Sequence, residues 1–329
     1  MKVLVTDMRH LSIEEEEKVL APLGVEIVTS FSKSEEELIS NGRGAAGFLV
    51  SYARITGRVM ESLPELKIIS KYGVGVENID IEAATRLGVY VTNVPDYCIE
   101  EVALHTLSLI LAGLRKVCHF AEEVERKRWS MSPDTENIPR LSGLCLGLLG
   151  FGRIAKKLSI FMQNLVESIY FYDPYIEDCE RDPVRCSSVE TLDELFKRSH
   201  VVSVHVPLNS ETVGLVDERV LSNVRGIMLI NTSRAEIVVR EAVIKSLNSG
   251  RVSFFGSDVF WQEPPDYGSR WQMQFLKRAD VLITPHVGWY SRESERVVRR
   301  SAAMEIARVI MGQTPKNLVN IEVLSRPRR

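Results

Sequence analysis

The sequence lacks the features that mark membrane proteins, secreted precursors and nucleic-acid-binding proteins. None of its apolar runs reaches the 18 or more residues of a transmembrane helix. Its first residues, MKVLVTDMRH, are typical of a strand, so we expect no signal peptide. Its net charge of −3 offers no excess of basic residues for a nucleic acid. We interpret two basic clusters, RVVRR (296–300) and RPRR (326–329), as a solvated helix face and a frayed tail.

Cysteine pairs are also missing, although the chain has five cysteines. They are Cys98, Cys118, Cys145, Cys179 and Cys186, and none belongs to a CxxC motif. Scattered single cysteines argue against a zinc site and against a disulfide framework. We therefore expect reduced thiols, no metal and a cytoplasmic location.

What the sequence does contain is a long alternation of apolar strands and amphipathic helices. At 329 residues the chain exceeds what one core usually fills, so two domains are expected. Near-continuous apolar strands between helices predict parallel sheets covered on both faces, and hence an α/β fold of two doubly wound domains. Strands are predicted at 2–7, 25–30, 45–50, 66–70 and 89–93, and in a second series at 144–150, 168–173, 201–206, 226–231, 252–258 and 280–284.

Two longer helical patterns lie outside this rhythm. Residues 100–129 predict one long helix, and its first half, 104–114, is apolar on nearly every side. A helix that is apolar all round is buried all round, so it lies between domains, in a subunit interface, or in both. Residues 291–312 predict a second helix that Gly312 closes.

A glycine-rich turn follows the first strand of the second series and opens a helix. Its pattern, Gly150-x-Gly152-x-x-Ala155, is the GxGxxG/A fingerprint of dinucleotide binding in the required strand–turn–helix context. Gly150 permits the tight turn, Gly152 lets a pyrophosphate approach the backbone, and Ala155 allows close packing of helix on strand. The N–H groups at the helix N-terminus then favour the phosphates.

The next strand of this series ends in Asp173, which follows Gly150 by 23 residues. An acidic residue at this place binds the ribose 2′-hydroxyl and repels a 2′-phosphate. The residues that follow, Pro174 and Tyr175, include no arginine to hold such a phosphate. The sequence therefore predicts NAD(H) as the cofactor in preference to NADP.

Three charged or titratable side chains follow strands of the same series: Arg234 in LINTSRAEIV, Glu263 in DVFWQEPP and His286 in LITPHVGWYS. In open parallel sheets, ligands bind outside the carboxyl ends of the strands, so all three are expected at one site. Each residue alone has a structural explanation as a surface charge, a loop carboxylate or a packed histidine. Their combination favours catalysis.

At this point the sequence resembles the D-isomer-specific 2-hydroxyacid dehydrogenases over essentially its whole length. The motifs that carry the resemblance are long and occur in the same order along the chain. They are YGVGVENIDIEAATRLGVYVTNVP (72–95), LGLLGFGRIAKKL (146–158), VSVHVPLNSETVGLVDERVLSNVRGIMLINTSR (202–234), GSDVFWQEPP (256–265) and LITPHVGW (282–289). Within the family, the chain looks most like the branch that contains the C-terminal-binding proteins and their bacterial relatives.

The resemblance implies a role for each of the three charged or titratable residues. His286 would be the general acid in reduction of a 2-keto acid and the general base in the reverse direction, which suits an imidazole with its usual pKa of about 6.5. Glu263 would accept a hydrogen bond from the other ring nitrogen, and Arg234 would bind the substrate carboxylate.

The resemblance also implies cofactor and substrate sets and a domain plan. The cofactor-binding set is Gly150, Gly152, Arg153, Ile154, Asp173, His205, Pro207, Thr212, Asn231, Thr232, Ser233, Asp258, His286 and Gly288, with Asp258 on the nicotinamide carboxamide. The substrate-binding set is Ser51, Tyr52, Val74, Gly75, Arg234 and Trp289. A Rossmann NAD-binding domain, 99–290, would be inserted into a flavodoxin-like substrate-binding domain, 1–98 and 291–329, in a homodimer.

The leading hypothesis is an NAD-dependent D-2-hydroxyacid dehydrogenase that acts on a small 2-hydroxy or 2-keto acid, with neither a membrane nor a nucleic acid as a direct partner. Two alternatives remain. One is an NADH-binding, corepressor-like protein with vestigial activity, and the other is a phosphite-type dehydrogenase. The chain also departs from the family at Ala235-Glu236, where glycine usually follows the catalytic arginine.

Overall fold

The structure, a computed structural model, describes residues 1–7, 12–32, 34–129, 138–179 and 183–328. The chain divides into two compact units. Unit 1 consists of Met1–Tyr97 and Ser291–Arg329, and unit 2 consists of Cys98–Tyr290. Unit 2 is therefore an insertion between the two segments of unit 1.

Unit 1 is built on a parallel sheet of five strands in the order β2-β1-β3-β4-β5. The strands are β1 (Lys2–Val5), β2 (Glu26–Thr29), β3 (Ala45–Val50), β4 (Ile68–Lys71) and β5 (Tyr90–Thr92). The helices are α1 (Glu14–Leu20), α2 (Glu35–Gly42), α3 (Gly57–Glu61), α4 (Ile81–Leu87) and, after the insertion, α12 (Arg292–Ile310). This strand order is that of flavodoxin-like folds.

Alternation along the strands of unit 1 sends side chains into two cores, one on each face of the sheet. Phe48 belongs to the core that also contains Val59 of α3. Its neighbour Leu49 belongs to the core formed with Ile306 of α12. Every residue of β3 is buried, because helices cover both faces. Gly312, at φ +74°, ends α12 as predicted.

Unit 2 is built on a second parallel sheet, of seven strands in the order β12-β11-β10-β9-β6-β7-β8. The strands are β6 (Cys145–Leu149), β7 (Ser168–Tyr172), β8 (Ser187–Ser188), β9 (Val201–Val204), β10 (Ile227–Asn231), β11 (Val252–Ser257) and β12 (Val281–Ile283). Counted from β6, the order is that of a Rossmann sheet with one added strand, and its switch point lies between β6 and β9. The predicted α/β class with two doubly wound parallel sheets is confirmed.

The helices of unit 2 cover both faces of this sheet. They are α5 (Ile99–Leu114), α6 (Val117–Glu125), α7 (Arg153–Met162), α8 (Leu192–Arg198), α9 (Glu218–Ser222), α10 (Arg240–Asn248) and α11 (Arg270–Leu276). Leu148 of β6 packs in one core with residues of α5 and α7. The next residue, Leu149, packs in the opposite core with residues of α8, α9 and α10. Within the described ranges, no helix has the length and apolarity needed to cross a bilayer.

The single helix predicted over 100–129 is wrong, because the structure has two helices there. The chain breaks it into α5 and α6 at Lys116, which has a left-handed backbone with φ +51°. The Lys116 N–H bonds to the Gly113 carbonyl, so the first helix is capped there. Leu104 on α5 is 52% exposed, so one stripe of this apolar helix is uncovered in the single chain.

Each basic cluster contains one arginine that contradicts its interpretation as solvated. Arg299 is 5% exposed because its guanidinium binds the Glu16 carboxylate, at 2.7 Å, on α1. Arg328 donates to backbone carbonyls of unit 1, among them Leu63 at 2.8 Å and Leu87 at 3.1 Å. These carbonyls lie at or just after the ends of α3 and α4, so the tail is not frayed at Arg328.

The expectation of reduced thiols is wrong for one pair of cysteines. Cys179 and Cys186 form a disulfide, and their Cα atoms are 6.3 Å apart. The chain that leaves β7 returns to start β8 beside it, which brings together two cysteines that no spacing motif connects. Cysteine usage therefore gives no support to a cytoplasmic location, which stays a prediction.

Candidate active site

The turn between β6 and α7 has the shape that a dinucleotide phosphate requires. Gly150 has φ +90°, and a Cβ there would lie 2.9 Å from the Val206 side chain, so only glycine fits. Gly152 is the N-cap of α7, and no described atom lies within 4 Å of a Cβ built on it. Ala155 is fully buried against the sheet. This open space lies at the N-terminus of α7, a place where an anion is stabilised.

Asp173 lies beside this turn, at the end of β7. Its Oδ2 accepts the Phe151 N–H at 2.9 Å, and its Oδ1 accepts the Tyr175 N–H at 2.9 Å. The carboxylate thus ties the glycine turn to the adjacent strand. The next predicted residues, Arg153 and Ile154, begin α7.

The predicted cofactor residues after β9 and β10 lie at the same carboxyl edge of the sheet. His205 contacts the Ser203 hydroxyl through Nε2 at 2.9 Å. The Thr212 hydroxyl donates to the Pro207 carbonyl at 2.5 Å, which closes the loop after β9. The Ser233 hydroxyl donates to the Val204 carbonyl at 3.0 Å and so connects the two strand ends.

Asn231 shapes the turn that presents Arg234. Its buried side-chain amide donates to the Arg234 carbonyl at 2.9 Å and accepts the Ser233 N–H at 3.0 Å. Arg234 Nη1 contacts the Ser233 carbonyl at 2.9 Å. The unusual Glu236 that follows has an exposed side chain.

Glu263 and His286 form the contact expected of an acid/base pair. Nδ1 of His286 lies 2.8 Å from Oε2 of Glu263, and the other carboxylate oxygen accepts the Phe260 N–H at 2.9 Å. Burial by itself raises the pKa of Glu263, but the hydrogen bond from His286 and the charge of Arg234 hold that pKa below its usual value. The ionised carboxylate therefore accepts a proton on Nδ1, which leaves Nε2 of the imidazole for proton exchange.

The backbone at His286 is left-handed, with φ +55°, a conformation that is uncommon for a residue other than glycine. Three contacts hold it there. The His286 carbonyl accepts the indole N–H of Trp289 at 3.1 Å, and Asp258 accepts the N–H groups of Val287 at 3.0 Å and Gly288 at 2.7 Å. Trp289, predicted to bind substrate, thus also fixes the orientation of His286.

In unit 1, the predicted substrate residues lie at the carboxyl ends of β3 and β4. The N–H groups of Ser51, Tyr52 and Ala53 all bond to the Asp7 carboxylate. These N–H groups are therefore engaged within the chain. Ser51 is buried, whereas Tyr52 is 52% exposed.

The segment Gly73-Val74-Gly75 follows β4. The Val74 carbonyl accepts the Asn93 side-chain amide at 2.8 Å, and the Gly73 carbonyl accepts the Val94 N–H at 2.9 Å. Over the described ranges, the N–H groups of Val74 and Gly75 make no intramolecular hydrogen bond. Their predicted role in substrate binding stays a prediction.

Sequence reasoning missed several residues that support the site. Asp7 caps three N–H groups of a predicted substrate loop, and Thr284 binds Asp258 at 2.6 Å. His105 on α5 contacts Thr284 at 2.8 Å. For His105 a signal existed, because a histidine within a helix that is otherwise apolar needs a polar partner.

Comparison with known proteins identifies relatives of the whole chain and of unit 2. Residues 107–288 match the sequence profile of the D-isomer specific 2-hydroxyacid dehydrogenase, NAD binding domain. The chain is 31% identical over 326 residues to a D-3-phosphoglycerate dehydrogenase of Methanocaldococcus jannaschii, a match that covers 98% of this chain and 60% of that protein. It is 33% identical over 297 residues to a glyoxylate reductase of Thermofilum pendens, covering 88% and 86% of the two chains.

Two solved structures are similar to nearly the whole chain. A protein of Thermus thermophilus matches with a TM-score of 0.86 and 30% identity, over 97% of this chain and 100% of that chain. A D-lactate dehydrogenase of Aquifex aeolicus, in complex with NAD and lactic acid, matches with a TM-score of 0.83 and 26% identity, over 98% and 97%.

Proposed function

Because the chain belongs to the D-isomer-specific 2-hydroxyacid dehydrogenase family, we propose that it is an NAD-dependent D-2-hydroxyacid dehydrogenase that acts on a small 2-hydroxy or 2-keto acid. The predicted family and the predicted cofactor class, NAD, are confirmed. The chain spans about 60% of the length of the M. jannaschii relative, so the reaction of the whole protein belongs to this proposal.

The observation that carries the proposal is the 2.8 Å contact between Glu263 and His286, with Arg234 near enough for its charge to lower the pKa of Glu263. Bound NADH would supply the hydride to the keto carbon. His286 would donate the proton on Nε2 to the keto oxygen, and Glu263 would stabilise the imidazolium beforehand. Arg234 would hold the substrate carboxylate through its two-pronged guanidinium.

The residues of the glycine turn fit the cofactor. Gly152 leaves room for a pyrophosphate against the N-terminus of α7. Asp173 places a carboxylate beside the turn, where it would favour the 2′-hydroxyl of NAD over the 2′-phosphate of NADP.

The substrate is proposed from chemistry and from the relatives' names. Relatives named glyoxylate reductase and D-lactate dehydrogenase act on small 2-hydroxy or 2-keto acids. Trp289, if it lines the pocket, would favour a medium apolar or aromatic side chain. The substrate roles of Ser51, Tyr52, Val74 and Gly75 stay predictions. The predicted branch, the substrate-binding role of unit 1, the homodimer and the cytoplasmic location also stay predictions.

An NADH absorbance assay over a panel of 2-keto acids tests the proposal. The panel contains pyruvate, glyoxylate, hydroxypyruvate and branched and aromatic 2-keto acids, with phosphite and NAD in a parallel reaction. We expect turnover of at least one keto acid to the D-hydroxy acid. Tight NADH binding without turnover would instead support an NADH-binding protein with vestigial activity, and turnover of phosphite alone would support the phosphite-type alternative.

Substitution of the proposed acid/base gives a second test. Asparagine is the suitable replacement, because it tolerates the left-handed backbone that His286 adopts. We expect His286→Asn to lower kcat at least about 100-fold and to leave the Kd of NADH within about threefold. An equal loss of binding and turnover would contradict the role given to His286.

A further inference from the structure

We propose that His105 is a positioning residue that acts through Thr284 and Asp258 on the nicotinamide carboxamide and on the segment that carries His286. The inference rests on the proposed function, since it concerns the same cofactor site. It adds a residue of α5, outside the glycine turn and the acid/base pair, to the machinery of unit 2.

The hydrogen bonds between these three residues have a definite direction. The Thr284 hydroxyl lies 2.6 Å from Oδ1 of Asp258. Nε2 of His105 lies 2.8 Å from the same hydroxyl and, at a longer 3.4 Å, from Oδ1 itself. Although burial raises the pKa of Asp258, hydrogen bonds from His105, Thr284 and two backbone N–H groups hold it below its ordinary value. An ionised carboxylate only accepts, so Thr284 donates to Asp258 and must in turn accept from His105. His105 is therefore a donor through Nε2.

Asp258 contacts the segment that carries His286 and is proposed to contact the nicotinamide carboxamide. Its Oδ1 accepts from Thr284 and the Val287 N–H, so the carboxylate holds the residues on both sides of His286. Its Oδ2 accepts the Gly288 N–H at 2.7 Å, and one oxygen can accept a second donor. The carboxamide N–H of the nicotinamide would be that second donor. Asp258 is only 4% exposed, so the groups packed around it fix the orientation of its carboxylate.

His105 also restricts the segment sterically. A Cβ built on Gly288 would lie 2.8 Å from Oδ2 of Asp258 and 3.2 Å from the His105 ring. The ring and the carboxylate therefore enclose Gly288 from two sides. The next residue of α5, Thr106, contacts the Thr232 hydroxyl at 2.9 Å, so consecutive residues of one helix hold two predicted cofactor segments.

A comparison of NADH with an analogue that lacks the carboxamide distinguishes a positioning role of His105 from general support of the fold. In reduced 3-acetylpyridine adenine dinucleotide, an acetyl group replaces the carboxamide, so the donor for Asp258 is missing while the rest of the molecule is kept. Calorimetry measures the Kd of NADH and of this analogue for wild type, His105→Phe and His105→Gln. Glutamine can donate from nearly the same point as Nε2, and phenylalanine fills similar space without a donor.

We expect His105→Phe to raise the Kd of NADH about tenfold and that of the analogue less than threefold, and we expect His105→Gln to recover most of the NADH affinity. His119→Phe, on α6, is the matched control and should change neither Kd. Equal losses with both cofactors, or no loss with NADH, would overturn the inference. If His105→Phe does not fold, Thr284→Val removes the middle of the same chain of hydrogen bonds and must show the same dependence on the carboxamide.

The role of His105 and the proposed dehydrogenase activity are tested by separate measurements. Binding of NADH and of the analogue requires no turnover, so it tests the role of His105 even if no keto acid is reduced. The wild-type protein on the keto-acid panel tests the reaction itself.

Discussion

Glu263 holds His286 through one carboxylate oxygen, at 2.8 Å, while its other oxygen is fixed by the Phe260 N–H at 2.9 Å. The Phe260 N–H thus fixes the carboxylate to its own loop, while the other oxygen contacts the imidazole. Such a fixed partner selects the tautomer with a proton on Nδ1 and stabilises the protonated ring, which is the proton donor in keto-acid reduction.

Replacing this charge with a neutral amide should weaken the proton donor. We expect Glu263→Gln to lower kcat for keto-acid reduction about 10- to 100-fold, or roughly 1.4 to 2.7 kcal/mol of transition-state stabilisation, because the imidazolium loses its counter-charge. The pH above which reduction declines should move to lower pH, while the Kd of NADH stays within about threefold. Steady-state kinetics between pH 5 and 9 measure both.

Glu236→Gln is the matched control for this variant. It makes the same change from carboxylate to amide, two residues after Arg234, but at an exposed side chain. It should leave kcat nearly unchanged. A pH profile of Glu263→Gln that coincides with that of the wild type would contradict the assigned role of Glu263.

The two glycines of the nucleotide turn should respond differently to the same added methyl group. At Gly152, φ is −76° and the space around a Cβ is open, so alanine fits the fold but would occupy the place proposed for the pyrophosphate. We expect Gly152→Ala to raise the Kd of NADH at least about tenfold with the apparent Tm unchanged within about 2 °C.

At Gly150, the φ of +90° and the 2.9 Å approach to Val206 make alanine strained in the fold itself. Gly150→Ala should therefore destabilise unit 2 by about 1 to 3 kcal/mol. Thermal unfolding and calorimetric titration separate the two effects. A Gly152→Ala variant that loses stability and keeps its NADH affinity would show that the open space has another purpose.

The strands and the nucleotide turn were predictable because their signals are local. Strand β3, for example, is a continuous apolar run, and every one of its residues is buried. The turn at Gly150 and Gly152 has a spacing that the phosphate chemistry dictates. Strand β8 escaped prediction since its two serines, Ser187 and Ser188, are exposed and carry no apolar pattern.

The parts that escaped prediction depend on contacts between residues far apart in the sequence. Asp7 meets Ser51 across 44 positions, and His105 meets Thr284 across 179. Gly113, near the end of α5, packs against Phe254, where a Cβ would lie 2.4 Å from the ring. No periodicity of the helix indicates such partners.

The uncovered side of α5 and α6 tests the predicted homodimer. Leu104 on α5 is 52% exposed, and Val117 and Val124 on α6 are 55% and 51% exposed. If a second copy covers this surface, Leu104→Arg places a charge in an apolar contact and should raise the dimer dissociation constant at least about tenfold. Sedimentation velocity measures it, and Val213→Arg, at a residue of unit 2 that is 57% exposed, is the control. An unchanged sedimentation profile for Leu104→Arg would place any dimer contact elsewhere.

The last prediction concerns the acid stability of unit 2. Burial lowers the pKa of His205 to about 4, so between this pH and about 6.5 the unfolded chain binds a proton that the folded chain does not. Stability is therefore complete above about pH 6.5 and falls as the pH decreases towards 4, by at most about 1.4 kcal/mol per pH unit from this residue. His205→Gln should be less sensitive to acid over that window.

Urea unfolding followed by tryptophan fluorescence measures the stability of unit 2, because all four tryptophans lie in it: Trp129, Trp261, Trp271 and Trp289. The measurement is made at about pH 4.5, 5.5 and 7. His200→Gln, at an exposed histidine, should retain the wild-type dependence, and an equal acid sensitivity in wild type and His205→Gln would show that other groups control it.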